Sequence, residues 1–576
     1  MNKYPIFRPL IVTLCMALAI INAFGESSNI TFLSKSHAII RTQQGKKYIL
    51  LPVEEKADMS IIHILANDKL TQNINIRLAV DNIDYYVPFD LSNYQGKKVI
   101  FDIHNASNIR SEGDLKEFVC WNALKYTDTF DTTNREKYRP SYHHTPLWGW
   151  MNDPNGMFYK DGEWHLFFQH NPYGSQWENM NWGHSVSTDL IHWTQLPEAI
   201  EPDGLGTIFS GSCVVDSANT AGFGKGAIIA FFTSNGENQT QSMAYSTNNG
   251  RTFTKYIGNP IITFKAPDFR DPHAFWNHES GKWNMILAAG QEMRIYSSVN
   301  LKEWTYESSF GQGYGNHDGV WECPDLMELP VRGTDKHKWM LICNINPGGP
   351  FGGSATQYFI GQFDGHKFIC ESKPEVTKWL DYGKDHYATV TFDNAPEGRH
   401  VAMAWMSNWQ YGNQVPTKQY RSANTIPFDL GLYEYEGETY ASVTPSKELL
   451  SMRGKAINKP SSSCEIIATL NGDCSLTLTN NKGECVKLIY DAKTKTFSMD
   501  RNKSGNTSFS ESFPVKTTAP VNGKIHQLRI FIDHSSVEAF DADGKISMTN
   551  LVFPTIPYDR LIIKGKVKIT IYPLNE

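Results

Sequence analysis

Three short runs each set an acidic side chain beside a turn-forming proline or an aromatic ring. They are Trp148-Gly149-Trp150-Met151-Asn152-Asp153-Pro154-Asn155-Gly156, Phe269-Arg270-Asp271-Pro272-His273 and Asp318-Gly319-Val320-Trp321-Glu322-Cys323-Pro324-Asp325. Singly, each has an ordinary explanation: Asp-Pro and Asn-Gly mark tight turns, Arg270 with Asp271 suits a surface ion pair, and Glu322 suits a solvated acid. Jointly they supply what cleavage of a glycosidic bond requires. One carboxyl protonates the leaving oxygen, a second attacks the anomeric carbon or activates water, and a third holds sugar hydroxyls. The tryptophans offer apolar walls to the carbon face of a polyhydroxylated ligand, and the amides offer partners for its oxygens.

Metal chemistry has little support in the pattern. No Cys-x-x-Cys, no His-Glu-x-x-His and no regular Cys/His spacing occurs, and the pair His143-His144 stands alone in the chain. Neither a metal nor an organic cofactor is expected.

Three distant acids can meet only if the chain between them returns repeatedly to one point. From 142 to about 430 the pattern is of short strands with turns between them, and one phrase recurs. It reads Ser187-Thr188-Asp189-Leu190-Ile191-His192-Trp193, then Ser246-Thr247-Asn248-Asn249-Gly250-Arg251-Thr252-Phe253, then Ser298-Val299-Asn300-Leu301-Lys302-Glu303-Trp304. Gln362-Phe363-Asp364-Gly365-His366-Lys367-Phe368 is a looser cousin. A repeat of about 50 residues built of short strands is the sequence form of a propeller blade, and residues 140–440 hold about five. Independent hairpins in a large sandwich are the alternative on pattern alone. In a closed ring, successive blades can aim one acid each into a central funnel.

Around this region, residues 26–135 alternate in segments such as Lys47-Tyr48-Ile49-Leu50-Leu51 and predict a small added β-domain. Residues 448–576 alternate again, as in Ser536-Val537-Glu538-Ala539-Phe540, with Asp543-Gly544 as a hairpin turn, and predict a β-sandwich. No segment has convincing helical periodicity, so the predicted fold class is all-β. The 576 residues, 40% hydrophobic and 20% charged, have globular composition, and a net charge of −6 with no basic face argues against a nucleic-acid partner.

Lys3 and Arg8, the apolar run 10–23 and Ala23-Phe24-Gly25 predict a signal peptide over 1–25 and export to a periplasm or the exterior. That run is too short to cross a bilayer and none later is longer, so no membrane span is expected. Nine cysteines are too few for a disulfide scaffold. Cys464, Cys474 and Cys485 are close enough in sequence to pair, which spacing does not decide. Oligomeric state is not legible.

The runs 150–156, Arg270-Asp271-Pro272 and Trp321-Glu322-Cys323-Pro324-Asp325 resemble the three acidic blocks of glycoside hydrolase family 32, the invertases, inulinases and levanases. Phe209-Ser210-Gly211-Ser212, Trp405-Met406-Ser407-Asn408-Trp409 and 528–540 extend the resemblance over 142–576. It implies a five-bladed β-propeller followed by a β-sandwich, and retention of configuration through a covalent fructosyl-enzyme. Asp153 would be the nucleophile, Glu322 the acid and then base, and Asp271 a partner for fructose hydroxyls. Asn152, Gln169, Trp177, Phe209, Ser210, Arg270 and Trp409 match positions that line the fructose pocket. The implied reaction releases terminal β-fructofuranosyl residues from levan, inulin and fructo-oligosaccharides, and also from sucrose. Exo action is the expectation. An endo-acting cleft, a fructosyltransferase using the same acids and a non-catalytic fructan binder stay open at this point. The domain at 26–135 departs from the family's common plan and puts substrate length in doubt.

Overall fold

The computed structural model describes residues 29–105, 114–133 and 135–575. The expected signal peptide lies outside them. Regular structure is almost entirely strand; the described residues include one four-residue α-helix, Cys120–Ala123, and a few 3-10 turns. The chain forms two compact units, the first built on the residues up to Asp131 with Asp203–Gly206 and Gly236–Asn238, and the second on Thr132–Pro202, Thr207–Asn235 and the residues from Gln239 onward.

The first unit has a five-stranded sheet, in the order Ile30–Ser34, His37–Arg41, Val99–Asn105, Ser60–Ala66, Lys69–Ile76, and a three-stranded sheet of Tyr85–Asp90, Tyr48–Val53 and Lys125–Thr127. The period-two pattern decides its faces. Ala38, Ile40, Ile62, Ile64, Phe101 and Ile103 are all fully buried on one face of the larger sheet.

In the second unit, five antiparallel sheets of about four strands each surround an axis, as the repeat predicts. Their innermost strands are Gly149–Lys160, Thr207–Asp216, Phe269–Asn277, Val320–Pro330 and Tyr387–Thr391; each packs on the next, and the fifth on the first. The ring is tied shut where Tyr420–Arg421 pairs in parallel with Gly149–Trp150. Each recurring phrase makes the turn between the third and fourth strands of its blade. Ser187, Ser246 and Ser298 accept at Oγ from the backbone N–H two residues on, at 3.1, 3.4 and 3.1 Å. Trp193 and Trp304 then donate from Nε1 to the carbonyls of Leu190 and Leu301, both at 3.1 Å. The repeat is therefore a turn signal, local in origin and copied from blade to blade.

The last region is a sandwich organised by two long strands, Cys464–Thr479 and Arg560–Pro573, paired along their length with an irregularity between Leu470 and Cys474. Before that bend, Cys464–Thr479 pairs with Gln527–Asp533; after it, with Cys485–Asp491. Leu488 and Phe497 from one arm and Ile530 and Val537 from the other share one core. Cys474 stands opposite Tyr490 and Cys485 opposite Thr479. Five ladder positions, about 17 Å at a strand's rise, therefore separate these thiols, and the eight described cysteines are free. Adjacency in sequence misleads here because extended strands carry neighbours apart.

Propeller and sandwich share core: Phe531 and Phe540 pack with Leu329, Ile342 and Phe428. Buried polar groups join them as well. Arg501 pairs with Asp385, whose other oxygen accepts from Tyr411 at 2.5 Å. His143 lies between Asp533, 2.8 Å from Nδ1, and Glu538, 2.6 Å from Nε2. This pair of histidines is alone only in sequence, since His144 contacts Asn424 at 2.8 Å and Ser185 at 2.9 Å.

Candidate active site

All five innermost strands are irregular at the same level. The ladder slips between Phe168 and His170 opposite Asn152-Asp153, between Phe209 and Gly211 around Ser210, and between Arg270 and His273 around Asp271-Pro272. It slips again between Glu322 and Asp325 around Cys323-Pro324, and between Tyr387 and Val390. A bulge leaves one residue unpaired and re-aims its side chain, and it is where a strand tolerates proline. The prolines after Asp153, Asp271 and Cys323 therefore mark the bulges in sequence. Asp271, Cys323 and Ala388 hold φ of 64°, 43° and 55°. A left-handed non-glycine residue costs on the order of 1–3 kcal/mol, so the surrounding packing enforces this backbone.

The bulges bring the three acids together, with Asp153 and Asp271 linked by hydrogen bonds and Glu322 joined to them through Arg270, whose Nε lies 4.0 Å from Asp271 Oδ2. Asp153 accepts at Oδ2 from Ser210 at 2.7 Å and at Oδ1 from Asn152 at 2.9 Å. Cys323 bridges two of the acids: its N–H donates to Asp271 Oδ2 at 2.9 Å, and its thiol lies 3.4 Å from Asp153 and 3.5 Å from Asp271. Glu322 accepts at Oε1 from Arg270 Nε and Nη2, at 3.1 and 2.6 Å, and at Oε2 from the phenol of Tyr387. Arg270 is also held by Asp268 at 2.7 Å.

Asp271 is 5% exposed, whereas the Glu322 side chain keeps 19% of its surface. Burial, resisted by Arg270 and reinforced by Glu322 and Asp153, pushes Asp271 up to about 7. Burial also raises Asp153, against the hydrogen bond from Ser210. Burial therefore favours the protonated form of both Asp153 and Asp271, and their proximity couples the two. Burial and the Glu322 carboxylate hold the Tyr387 phenol protonated, which makes it a donor.

The remaining candidates border this network. Asn152 spends both ends of its amide, accepting from Trp150 Nε1 at 2.8 Å and donating to Asp153. Gln169 is buried opposite the Asn152-Asp153 bulge, and its Nε2 has no hydrogen-bond partner among the described residues. Trp409 stacks on Trp150 at 5.8 Å, and Phe209 meets Trp177 edge-on at 6.2 Å. Trp177 is 39% exposed, with its N–H donating to Asn413 at 3.0 Å.

Residues 143–442 match the model of the glycosyl hydrolases family 32 N-terminal domain, and 432–570 match that of the family 32 C-terminal domain. A levanase of Bacillus subtilis (strain 168) is 45% identical over 481 residues, 77% of this chain and 71% of that protein. The chain belongs to glycoside hydrolase family 32.

An extracellular exo-inulinase of Aspergillus niger is 36% identical over 485 residues, 73% of this family 32 chain and 90% of the relative. The crystal structure of exo-inulinase from Aspergillus awamori superposes with a TM-score of 0.73 at 32% identity, over 78% of this chain and 100% of that one. Residues 34–142 match a separate model described only as a domain of unknown function. Among the described residues no helix is long and apolar enough to cross a membrane.

Sequence reading missed several members of this family 32 site. Tyr387 sits in an ordinary strand and nothing local distinguishes it. Asn344 donates to the Cys323 carbonyl at 2.8 Å, and Thr233 accepts from the Asp271 N–H at 3.0 Å; both hold the bulges from neighbouring strands. Cys323 lies within a motif, yet its bridging position depends on its positive φ.

Proposed function

We propose that this glycoside hydrolase removes terminal β-fructofuranosyl residues from levan, inulin and fructo-oligosaccharides, and also cleaves sucrose, with retention of configuration. The unequal furnishing of the two acids carries the reading. Asp153 accepts hydrogen bonds from Ser210 and Asn152 that favour its ionised form, as a nucleophile requires, while Glu322 is more exposed and adjustable between Arg270 and Tyr387. The names of the relatives, levanase and exo-inulinase, support a fructan substrate.

In the first step Asp153 attacks C2 of the terminal fructose while Glu322 gives its proton to the departing glycosidic oxygen. In the second, Glu322 takes a proton from water as that water attacks C2 and releases Asp153. The proposed reaction requires Glu322 to hold a proton at the moment Asp153 attacks as a carboxylate. Asp271 and Arg270 bind fructose hydroxyls, Gln169 offers a free amide donor, and Trp177, Phe209 and Trp409 wall the sugar's apolar face. A site at the axis of a closed ring can admit a chain end, which supports the exo reading over an open cleft. Lys3, Arg8 and the apolar run 10–23 support export.

The test is a time course of products from levan and inulin at matched concentration, separated by chain length, run beside Glu322→Ala. Fructose alone in the earliest samples, with turnover lost and fructan binding kept in the variant, is the expected result. A ladder of oligosaccharides would overturn exo action, and undiminished turnover in Glu322→Ala would overturn the assignment of the acid.

A further inference from the structure

We propose that the outer face of the five-stranded sheet in the N-terminal unit binds one divalent transition-metal ion of the Zn2+ type through His37, Asp102 and His104. His37 and His104 stand directly opposite each other on adjacent strands, and Asp102, two residues before His104, shares their face. Asp102 Oδ1 lies 2.6 Å from His37 Nε2 and 3.3 Å from His104 Nε2, and the three donor atoms all fall within 4.8 Å of one another. Metal–ligand bonds of about 2.0–2.2 Å in a tetrahedron place ligand atoms about 3.3 Å apart, so small side-chain adjustments complete the set. The two imidazoles already lie together, with ring centroids 4.1 Å apart.

The donor set and its surroundings favour this class of ion. Two imidazoles and one carboxylate suit Zn2+ and its neighbours in the first row, whereas Ca2+ and Mg2+ prefer oxygen ligands alone. The side chains of His37, Asp102 and His104 keep 22%, 11% and 38% of their surface, which leaves the face open to an entering ion and to water in the remaining position. His63, opposite Asp102 on the next strand, lies with its ring 5.5 Å from His104. Its Nδ1 donates to Asn73 Oδ1 at 2.6 Å, which fixes the ring beside the site. Bound metal would pin His37–Arg41 to Val99–Asn105, strands joined through a long stretch of chain, and so staple this unit. The ligands come from two strands distant in sequence, which is why Cys/His spacing does not announce them.

The experiment uses the full chain after chelation and dialysis, titrated calorimetrically with Zn2+ and, in parallel, with Co2+ followed by its visible absorption. One tight equivalent per chain is expected, with the intense Co2+ bands of low coordination number. That equivalent should be lost in the double variant His37→Ala/His104→Ala and kept in His192→Ala, a surface histidine control. The partial exposure of both ligands lets the double variant fold, which unchanged fructan hydrolysis and circular dichroism would verify. Absence of a tight equivalent in the native chain, or its persistence in the folded double variant, would overturn the proposal.

Discussion

Arg270 closes on a single oxygen of Glu322, with Nε at 3.1 Å and Nη2 at 2.6 Å from Oε1, and leaves Oε2 to the phenol of Tyr387. Glu322, the proposed acid and base, is thus oriented from two blades at once. A substrate oxygen that reaches Glu322 does so against two fixed donors.

Tyr387 acts through Glu322 and is therefore a positioning residue. Tyr387→Phe removes one donor to a carboxylate without opening a cavity, a loss of about 1.5 kcal/mol. Steady-state kinetics on sucrose should give kcat about tenfold lower with KM nearly unchanged. A rise in KM at constant kcat would mean that the phenol binds sugar instead.

Ser210 donates to the oxygen of Asp153 and favours its ionised form. Ser210→Ala removes that bond, so burial raises the Asp153 carboxyl further. Because Asp153, as the proposed nucleophile, works only when ionised, the acid limb of the kcat/KM profile should move to higher pH, with the largest loss at the acidic end. A profile that falls uniformly across pH would contradict this.

Asp271, proposed to bind fructose hydroxyls, is held at the expense of stability. Its carboxyl sits at about 7 in the folded chain, well above the unfolded value of about 3.8, so folding is opposed wherever the unfolded chain alone ionises. That opposition is absent below about pH 4, grows between pH 4 and 7, and is complete above 7, where it is on the order of 4 kcal/mol. Asp271→Asn should raise the thermal midpoint at pH 8 relative to pH 4 while lowering kcat/KM by about a hundredfold or more. Calorimetry at the two pH values, with kinetics on the same protein, checks both halves.

The propeller–sandwich joint should respond to alkali. Burial alone would lower His143, but the flanking Glu538 and Asp533 carboxylates push it up to about 9. A raised histidine stabilises fully below its unfolded value of about 6.5, and that stabilisation is lost as pH rises from 6.5 through 9; the shift corresponds to about 3 kcal/mol. Denaturant unfolding should show native stability falling over this window, and the fall should be absent in His143→Gln.

Much of this architecture was legible because it is written locally. Alternation marked the strands, and the phrase ending in Trp193, Phe253, Trp304 and Phe368 marked the blades, since short polar side chains close these turns within a few residues, joined by an indole at Trp193 and Trp304. The acids were legible for a similar reason: Asp153, Asp271 and Glu322 sit in contiguous motifs, with prolines that only a bulged or edge strand accepts.

What the sequence determined by itself was the all-β class, the blade repeat, the family resemblance and the three acidic motifs that the fold brings together. Tertiary structure alone decided that Tyr387 meets Glu322, that Cys323 bridges Asp153 and Asp271, and that His143 finds its carboxylates in the sandwich. It also decided that Cys474 and Cys485 lie apart, and that His37, Asp102 and His104 converge. The reason is physical. A turn or an alternating strand is specified by interactions spanning a few residues, whereas a pairing between distant segments depends on ladder register and blade closure, and one position of slip turns every side chain to the opposite face.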